Sequence, residues 1–214
     1  MAKLFTGIFL LIFCSSLKAQ VKALTENGRE VILNENGTWN YTSGDTVNSN
    51  HSQSIVSNPI IFRKTSGANF LVKSNSVNVG VYLDPNKWIF LPHKDNQVNP
   101  EYTFQMKSQK GYAMILTEPT PIELENMKSI ALENAQKTAA DAVVTHAEYR
   151  TVNGNKVLCL TMKATIKGIK FVYFGYYYSN SKGTTQLLSY GSEAMFKESF
   201  KDWQDFLNGF TVIN

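Results

Sequence analysis

One segment of the sequence constrains the fold most, because its side chains are apolar on both sides of an extended chain. Alternate side chains of a β-strand point to opposite faces of the sheet. In residues 171–178, one face holds Phe171, Tyr173 and Tyr177, and the other holds Val172, Phe174, Tyr176 and Tyr178. Such a strand lies in the middle of a sheet that is covered on both sides.

The flanking sequence predicts that this sheet is mostly antiparallel. Strand patterns cover residues 143–152, 156–165, 169–179 and 184–190, and turn residues separate the first three, at Asn153-Gly154 and at Lys167-Gly168. Asn-Gly pairs favour tight hairpins because both residues tolerate positive φ. Earlier strand patterns lie at residues 69–73, 77–83, 87–91, 102–108 and 112–117.

Two helices are predicted to cover the sheet. Thr120, Pro121 and Glu123 form a capping-box start, and apolar residues at helical spacing continue to Ala142. The second helix has Ser192 as its N-cap and Gly209 as its C-cap glycine, with an apolar face made by Phe196, Phe200, Trp203 and Leu207. The sequence therefore predicts an α+β fold, an α/β/α sandwich with a central mostly antiparallel sheet.

The start of the chain predicts export. Lys3 precedes an apolar run at residues 4–14, and Ala19 precedes Gln20, which is the layout of a signal peptide over residues 1–19. The run is too short to span a bilayer, so no transmembrane span is expected. The mature chain is expected to be soluble, in the periplasm or outside the cell. A lipid anchor at Cys14 is disfavoured because Phe13 stands where lipoproteins have a small residue.

The rest of the chain divides by composition. Residues 20–42 contain three short strand patterns with Asn27-Gly28 and Asn36-Gly37 between them, which predicts a small β meander. Residues 43–58 lack apolar periodicity and are interpreted as a linker. Residues 59–214 then form the main α/β domain.

Charge and cysteine content exclude several classes of protein. The formal charge of +4 falls to +2 if Lys3 and Lys18 leave with the signal peptide, and no basic block remains, so nucleic-acid binding is not expected. Only Cys159 is then left, which excludes an internal disulfide. It lies in an apolar strand pattern and is interpreted as a buried, inert thiol.

Several features occur in a recognisable order along the chain: an apolar strand running into Asp84-Pro85-Asn86-Lys87-Trp88, a long capped helix, a hairpin at Val152-Asn153-Gly154, an aromatic strand and a final helix ending in Leu207-Asn208-Gly209-Phe210. Together they resemble the PsbP-like family, whose fold is shared with the Ran-binding Mog protein. The resemblance covers residues 59–214. It implies an α/β/α sandwich and a mostly non-enzymatic role, and residues 20–42 resemble short Gly-Thr-Trp β units of Bacteroidota proteins.

No motif with self-evident chemistry is present, so no enzyme, cofactor or metal site is predicted. The sequence lacks a glycine-rich phosphate loop, a paired-cysteine metal site and a Gly-x-Ser-x-Gly elbow. His146 and Glu148 are expected to share a side of a strand with Val144 and Arg150, on a polar outward face or at a sheet edge. His51 is assigned to the linker and His93 to a loop, and three histidines in all make a histidine metal site improbable.

The candidate binding residues are aromatic: Trp88, Tyr173, Tyr176, Tyr177, Tyr178 and Tyr190. One interpretation is that these residues belong to the hydrophobic core and cover the sheet beneath the helices. The other is that they line a binding pocket or a protein interface, because tyrosine combines an apolar body with a polar tip.

The resulting hypothesis is a non-enzymatic binding or assembly module of the bacterial cell envelope. Its partner would be another envelope protein or a small apolar ligand, and its oligomeric state is not predicted. The alternative is an envelope enzyme with an unrecognised polar site, using His93 or His146 with a nearby acid.

Overall fold

The structure is a computed structural model that describes residues 21–24, 30–33, 39–41, 55–91 and 100–213. The chain divides into two compact units on either side of residue 53, and each is described by itself. The smaller unit contains β1 (Val21–Leu24), β2 (Glu30–Leu33) and β3 (Trp39–Tyr41). They form an antiparallel sheet in the order β1-β2-β3, which confirms the predicted meander.

The larger unit contains eleven strands and two helices among its described residues. In chain order they are β4 (Val56–Phe62), β5 (Phe70–Lys73), β6 (Val79–Leu83), β7 (Trp88–Leu91), β8 (Tyr102–Met106), β9 (Tyr112–Glu118), α1 (Met127–Thr138), β10 (Val143–Val152), β11 (Asn155–Ile166), β12 (Ile169–Asn180), β13 (Gly183–Ser192), α2 (Glu193–Leu207) and β14 (Phe210–Val212). None of these helices is long and apolar enough to cross a membrane.

Eight of the strands form one large sheet in the order β4-β10-β11-β12-β13-β9-β8-β7. All neighbours are antiparallel except β4 and β10. The strand with two apolar faces, β12, lies between β11 and β13 as predicted. Asn153 and Gly154 have φ of +47° and +84°, which is the positive-φ pair that a two-residue hairpin needs. The α+β sandwich predicted from the sequence is confirmed.

One side of the large sheet is covered by α2 and by a second, smaller sheet in the order β14-β6-β5. Val81 of the smaller sheet, Trp203 of α2 and Phe174 of the large sheet belong to one buried cluster. The Trp203 indole donates a hydrogen bond to the carbonyl of Lys110 at 3.0 Å. The sequence predicted one sheet, so the smaller sheet is an addition to the predicted layers.

Helix α2 begins as predicted, because the Ser192 hydroxyl accepts a hydrogen bond from the Met195 amide at 3.3 Å. Its C-cap is Asn208, and Gly209 follows. Gly209 is not among the glycines with positive φ in the described residues. Its backbone instead lies against the Tyr82 carbonyl, where a side chain would collide. Close packing on β6 therefore explains this glycine.

Helix α1 lies on the other side of the sheet, over β10 and β11. It begins at Met127, so the predicted start at Thr120 is wrong. The Ile122 amide donates to the Ser179 hydroxyl at 3.0 Å, and the Thr184 hydroxyl donates to the Thr120 carbonyl at 2.8 Å. These bonds hold the preceding segment against the ends of β12 and β13 instead of in a helical turn.

Strand β4 was not predicted, and it contains Pro59, a residue that cannot donate a backbone hydrogen bond to a neighbouring strand. It forms an edge of the large sheet, where a proline is tolerated. It begins at Val56, inside the segment predicted as a linker. The division of the chain into segments 20–42, 43–58 and 59–214 otherwise remains a prediction.

Candidate binding face and cavity

Three tyrosines form a ladder across the side of the large sheet that carries α1. Register places Tyr112 of β9 opposite Tyr190 of β13, and Tyr190 opposite Tyr173 of β12. The ring centroids are 5.8 Å apart in both pairs, and the interplanar angles are 28° and 20°. Stacked cross-strand aromatic pairs stabilise a sheet and hold each other's rings in place. The ladder is therefore a rigid aromatic surface.

The ladder extends into a wider surface, which we call the tyrosine face. Gln105 lies opposite Tyr112 and Ile89 lies opposite Gln105, while Thr103, Met114 and Leu188 form the adjacent row. The tyrosine face comprises Ile89, Thr103, Gln105, Tyr112, Met114, Tyr173, Leu188 and Tyr190. None of these side chains is charged. Most are half-buried, because α1 packs mainly on β10 and β11 and, within the described part of the chain, leaves this area of the sheet partly open.

A cavity of about 260 Å³ lies where the tyrosine face meets α1. Helix α1 contributes Ala131 and Ala135, and its C-cap residue Ala139 follows them; their short side chains do not fill the space above the sheet. The sheet contributes Met114, Leu116, Met162, Tyr173, Tyr177 and Leu188. The lining is mostly apolar, and no lining side chain among the described residues is charged.

The tyrosine hydroxyls of this region remain protonated. Burial raises the pKa of Tyr173 above its ordinary value of 10.0, and it also raises the pKa of Tyr190, which its two neighbours Tyr173 and Tyr112 raise further. Burial raises the pKa of Tyr177 as well. These groups can donate and accept hydrogen bonds near neutral pH but do not act as bases. The chemistry of the surface is recognition of apolar or weakly polar groups.

The six candidate residues divide between the two sides of the sheet. Tyr173, Tyr177 and Tyr190 lie on the side of α1, at the cavity or the tyrosine face. Trp88, Tyr176 and Tyr178 lie on the α2 side; the ring of Trp88 is 4.5 Å from that of Phe206, and Tyr178 is 5.1 Å from Phe210. The structure thus brings only half of the set together, and a binding role for any of the six stays a prediction.

Sequence reasoning missed Tyr112, which completes the ladder. It stands at the start of a strand that was predicted, but the sequence does not show that β9 pairs with β13. The connection between them contains α1 and three strands, so pairing by adjacency would not suggest it. The only hint in the sequence was the alternation of Tyr112, Met114 and Leu116, which places these three side chains on one side of the strand.

The expected outward face around His146 is wrong for Arg150, which is 8% exposed and lies on the α2 side. Its guanidinium pairs with the Glu148 carboxylate and donates to the Tyr176 hydroxyl at 3.1 Å. Tyr176 in turn donates to the Asn208 side chain at 2.8 Å. Buried charge needs such partners, and here they connect β10, β12 and the end of α2.

Two further groups bear on catalysis. Cys159 is fully buried, as predicted, and burial raises the pKa of its thiol to about 12 despite the nearby Arg150, so it is not a nucleophile. His146 is half-exposed, and its Nε2 lies 3.4 Å from Glu148, a carboxylate that already accepts hydrogen bonds from Asn58 and Arg150. His51 and His93 lie outside the described residues. No group of three metal-binding side chains occurs among the residues described.

Solved structures identify the architecture. The solution structure of cyanobacterial PsbP (CyanoP) from Synechocystis sp. resembles this chain with a TM-score of 0.53 and 11% sequence identity, over 67% of this chain and 91% of that protein. The fold is PsbP-like. At this identity the likeness shows the architecture and no activity.

Two weaker likenesses have TM-scores below 0.5, and the fold assignment does not rest on them. LpqN, involved in cell envelope biogenesis of Mycobacterium tuberculosis, has a TM-score of 0.44 and 10% identity, covering 68% of this chain and 90% of its own. A protein of unknown function from Pseudomonas aeruginosa has a TM-score of 0.41 and 10% identity, covering 68% and 96%. No protein-family model and no curated protein sequence matches the chain.

Proposed function

We propose that this chain is an exported, non-enzymatic binding or assembly module of the bacterial cell envelope, and that it binds through the tyrosine face. The observation that carries the proposal is the uncharged row of stacked tyrosines on a partly open side of the sheet. The partner is another envelope protein or a small apolar ligand. Export rests on the signal-peptide pattern of residues 1–19.

The composition of the tyrosine face supports a role in recognition. Interface cores are enriched in tyrosine and methionine and depleted in charged side chains. Tyrosine also contributes much contact area for little loss of conformational freedom, and the stacked ladder has lost most of that freedom already. A binding surface whose side chains are already ordered favours association, because those side chains lose less conformational entropy on binding.

The chemistry of the described groups gives no support to the enzyme alternative. The thiol of Cys159 is buried and protonated, and the carboxylate nearest to His146 is occupied by Arg150 and Asn58. Catalytic groups are usually tuned toward the working pH and reach into a cleft. A broad panel of ester, glycoside and phosphate-ester substrates should show no turnover that a point substitution abolishes.

The proposal is tested by native and denaturing mass spectrometry on protein purified from its own envelope. The wild type is expected to carry extra mass that is lost on denaturation. Tyr112→Lys places a charge in the tyrosine face and should reduce that complex at least tenfold, since an unpaired charge at an interface core is costly. Phe70→Lys, at an exposed aromatic residue on the smaller sheet, is the matched control and should retain it. Equal loss or equal retention in both variants contradicts the proposal.

A further inference from the structure

The cavity beneath α1 has the dimensions of a slot. One wall runs along α1 from Ala131 to the C-cap residue Ala139, eight steps along the chain, which is about 12 Å at the rise of an α-helix. Its opposite wall follows β12 from Tyr173 to Tyr177 over a similar length. Dividing the volume of about 260 Å³ by that length leaves a cross-section of about 20 Å². That is the cross-section of one extended hydrocarbon chain.

The walls are mostly apolar, and the cavity opens to solvent beside Asn134 and Thr138. Buried residues of the lining include Ala131, Met162, Tyr177 and Leu188. Concave sites with a mostly apolar lining and a few polar groups are the usual form of small-molecule sites. A cavity of about 150 Å³ already accommodates benzene in another protein. An unfilled apolar slot of this size favours a guest without charge along its length.

The mouth of the slot carries a positive charge. Asn134 and Thr138 line the cavity and are exposed on α1. The Lys137 ammonium donates a hydrogen bond to the Asn134 side-chain oxygen at 3.3 Å, which holds it beside the opening. The charge therefore lies outside an uncharged slot. This arrangement is complementary to a ligand with an apolar chain and an anionic head.

We propose that the cavity binds one extended alkyl chain of an amphiphile whose anionic head lies at Lys137. This inference rests on the proposed function and deepens it, because it names a ligand class for the same side of the sheet. The chain enters between α1 and β12, and the head stays in water at the end of the helix. A free carboxylic acid and the acyl chain of an anionic phospholipid share this chemistry.

Calorimetric titration with decanoate tests the inference. Saturable binding of one decanoate per protein is expected. Each methylene moved from water into the slot should raise the affinity by up to about fourfold, so decanoate should bind more tightly than octanoate and hexanoate. Chains longer than the slot should gain little more. No saturable binding of decanoate, either alone or presented in anionic vesicles, overturns the inference.

Substitutions locate the ligand. Ala135→Leu fills the middle of the slot and should reduce decanoate affinity at least tenfold, while Ala140→Leu, the same change at an exposed position beyond α1, should leave it unchanged. If Ala135→Leu does not fold, Met114→Phe fills the slot from the sheet. Undiminished binding in the folded slot-filling variant contradicts the proposed location.

A second comparison tests the head group. Lys137→Met should weaken decanoate binding about two- to fivefold, as expected for a solvent-exposed ion pair, and should leave decanol binding unchanged. Equal effects on the acid and the alcohol would contradict a head at Lys137. If decanoate binds in buffer, the free carboxylic acid is a sufficient ligand. If the protein binds only to anionic vesicles, and Ala135→Leu abolishes that binding, the alkyl chain in the cavity is that of a membrane lipid.

The outcome is separable from that of the proposed function. A partner protein recovered on the tyrosine face, with no alkyl binding, overturns this inference and leaves the module intact. If decanoate binds but no protein partner is recovered, the alkyl site is supported and the proposed protein partner is contradicted.

Discussion

At the scale of single residues, Arg150 differs most from its expected environment. Alternation along the strand correctly placed it on the same side as His146, because the β-bulge lies before His146, between Val144 and His146. That side is buried at Arg150 instead of facing outward. There its guanidinium also stacks over the Phe62 ring, 4.4 Å from the centroid. The residue thus joins the edge strand β4 to the core through its planar face and its ion pair.

Arg150→Ala should therefore destabilise the protein strongly. The substitution removes the charged partner of the Glu148 carboxylate and one hydrogen-bond donor to the Tyr176 hydroxyl, which then keep only Asn58 and Asn208 as side-chain partners from the observed network. Breaking a buried pair in this way costs about 3 kcal/mol or more. Urea unfolding should show a drop of this size in the free energy of unfolding. The exposed Arg63→Ala should change it by less than about 0.5 kcal/mol, and a similar small change for Arg150→Ala would contradict the role assigned to it.

The same pair predicts a dependence on pH. Burial alone would raise the pKa of Glu148, but its hydrogen bond and charge interaction with Arg150 outweigh burial and hold that pKa below the ordinary value of 4.5. Because the pKa is lower in the folded state, the stabilisation is complete above about pH 5.5 and is lost as pH falls below 4.5 toward the folded-state pKa.

Unfolding curves measured from pH 6 to pH 3 should therefore show falling stability in acid. Glu148→Gln removes the titrating carboxylate, so the fall should be shallower than in the wild type even though its stability at pH 6 is lower. An unchanged acid slope in Glu148→Gln would contradict this contribution.

At the scale of elements, the two helix starts show what local sequence determines. Ser192 caps α2 because its hydroxyl accepts the Met195 amide, and within the described ranges no other hydrogen bond to that hydroxyl competes. The start at Thr120 was equally well marked, but the Ile122 amide donates to Ser179 and the Thr184 hydroxyl donates to the Thr120 carbonyl, and these tertiary bonds hold that segment outside the helix. Local capping signals identify a helix start only where no tertiary partner competes for the same backbone.

Ser192→Ala should cost about 1 kcal/mol of stability, because it removes the side-chain acceptor at the N-terminus of α2. Thr120→Ala removes only a side chain, since the Thr120 carbonyl makes the observed bond, and should cost less than about 0.5 kcal/mol. Thermal unfolding of both variants measures the difference. The reverse order would show that residue 120 acts as a cap after all.

The candidate site was only partly predictable for a related reason. Alternation in β12 assigns Tyr173 and Tyr177 to one face, and the hairpin to β13 brings Tyr190 beside them. The return of β9 to the edge of β13 is a long-range pairing that no local pattern records, so Tyr112 was missed. The cavity depends on how α1 sits over the sheet, which the alanines of its buried face permit but do not specify.

At the scale of the large unit, the two sides of the sheet are covered unequally. One side carries α2 and the smaller sheet around a buried aromatic core, whereas the other carries the twelve-residue α1 beside the partly open tyrosine face. Among the described residues this side of the sheet is only half covered, and the tyrosine face bears no charged side chain, which favours an external partner. This asymmetry is the structural basis of the proposed binding role.

The most direct test of that role is photo-crosslinking from single positions in cells. A photoreactive phenylalanine analogue at Tyr190 samples the tyrosine face, and the same analogue at Tyr82, on β6 of the smaller sheet, is the control. The proposal predicts a discrete crosslinked species from Tyr190 that Tyr112→Lys abolishes and that Tyr82 does not give. Crosslinking of equal yield from both positions, or from neither, would contradict a binding function for the tyrosine face.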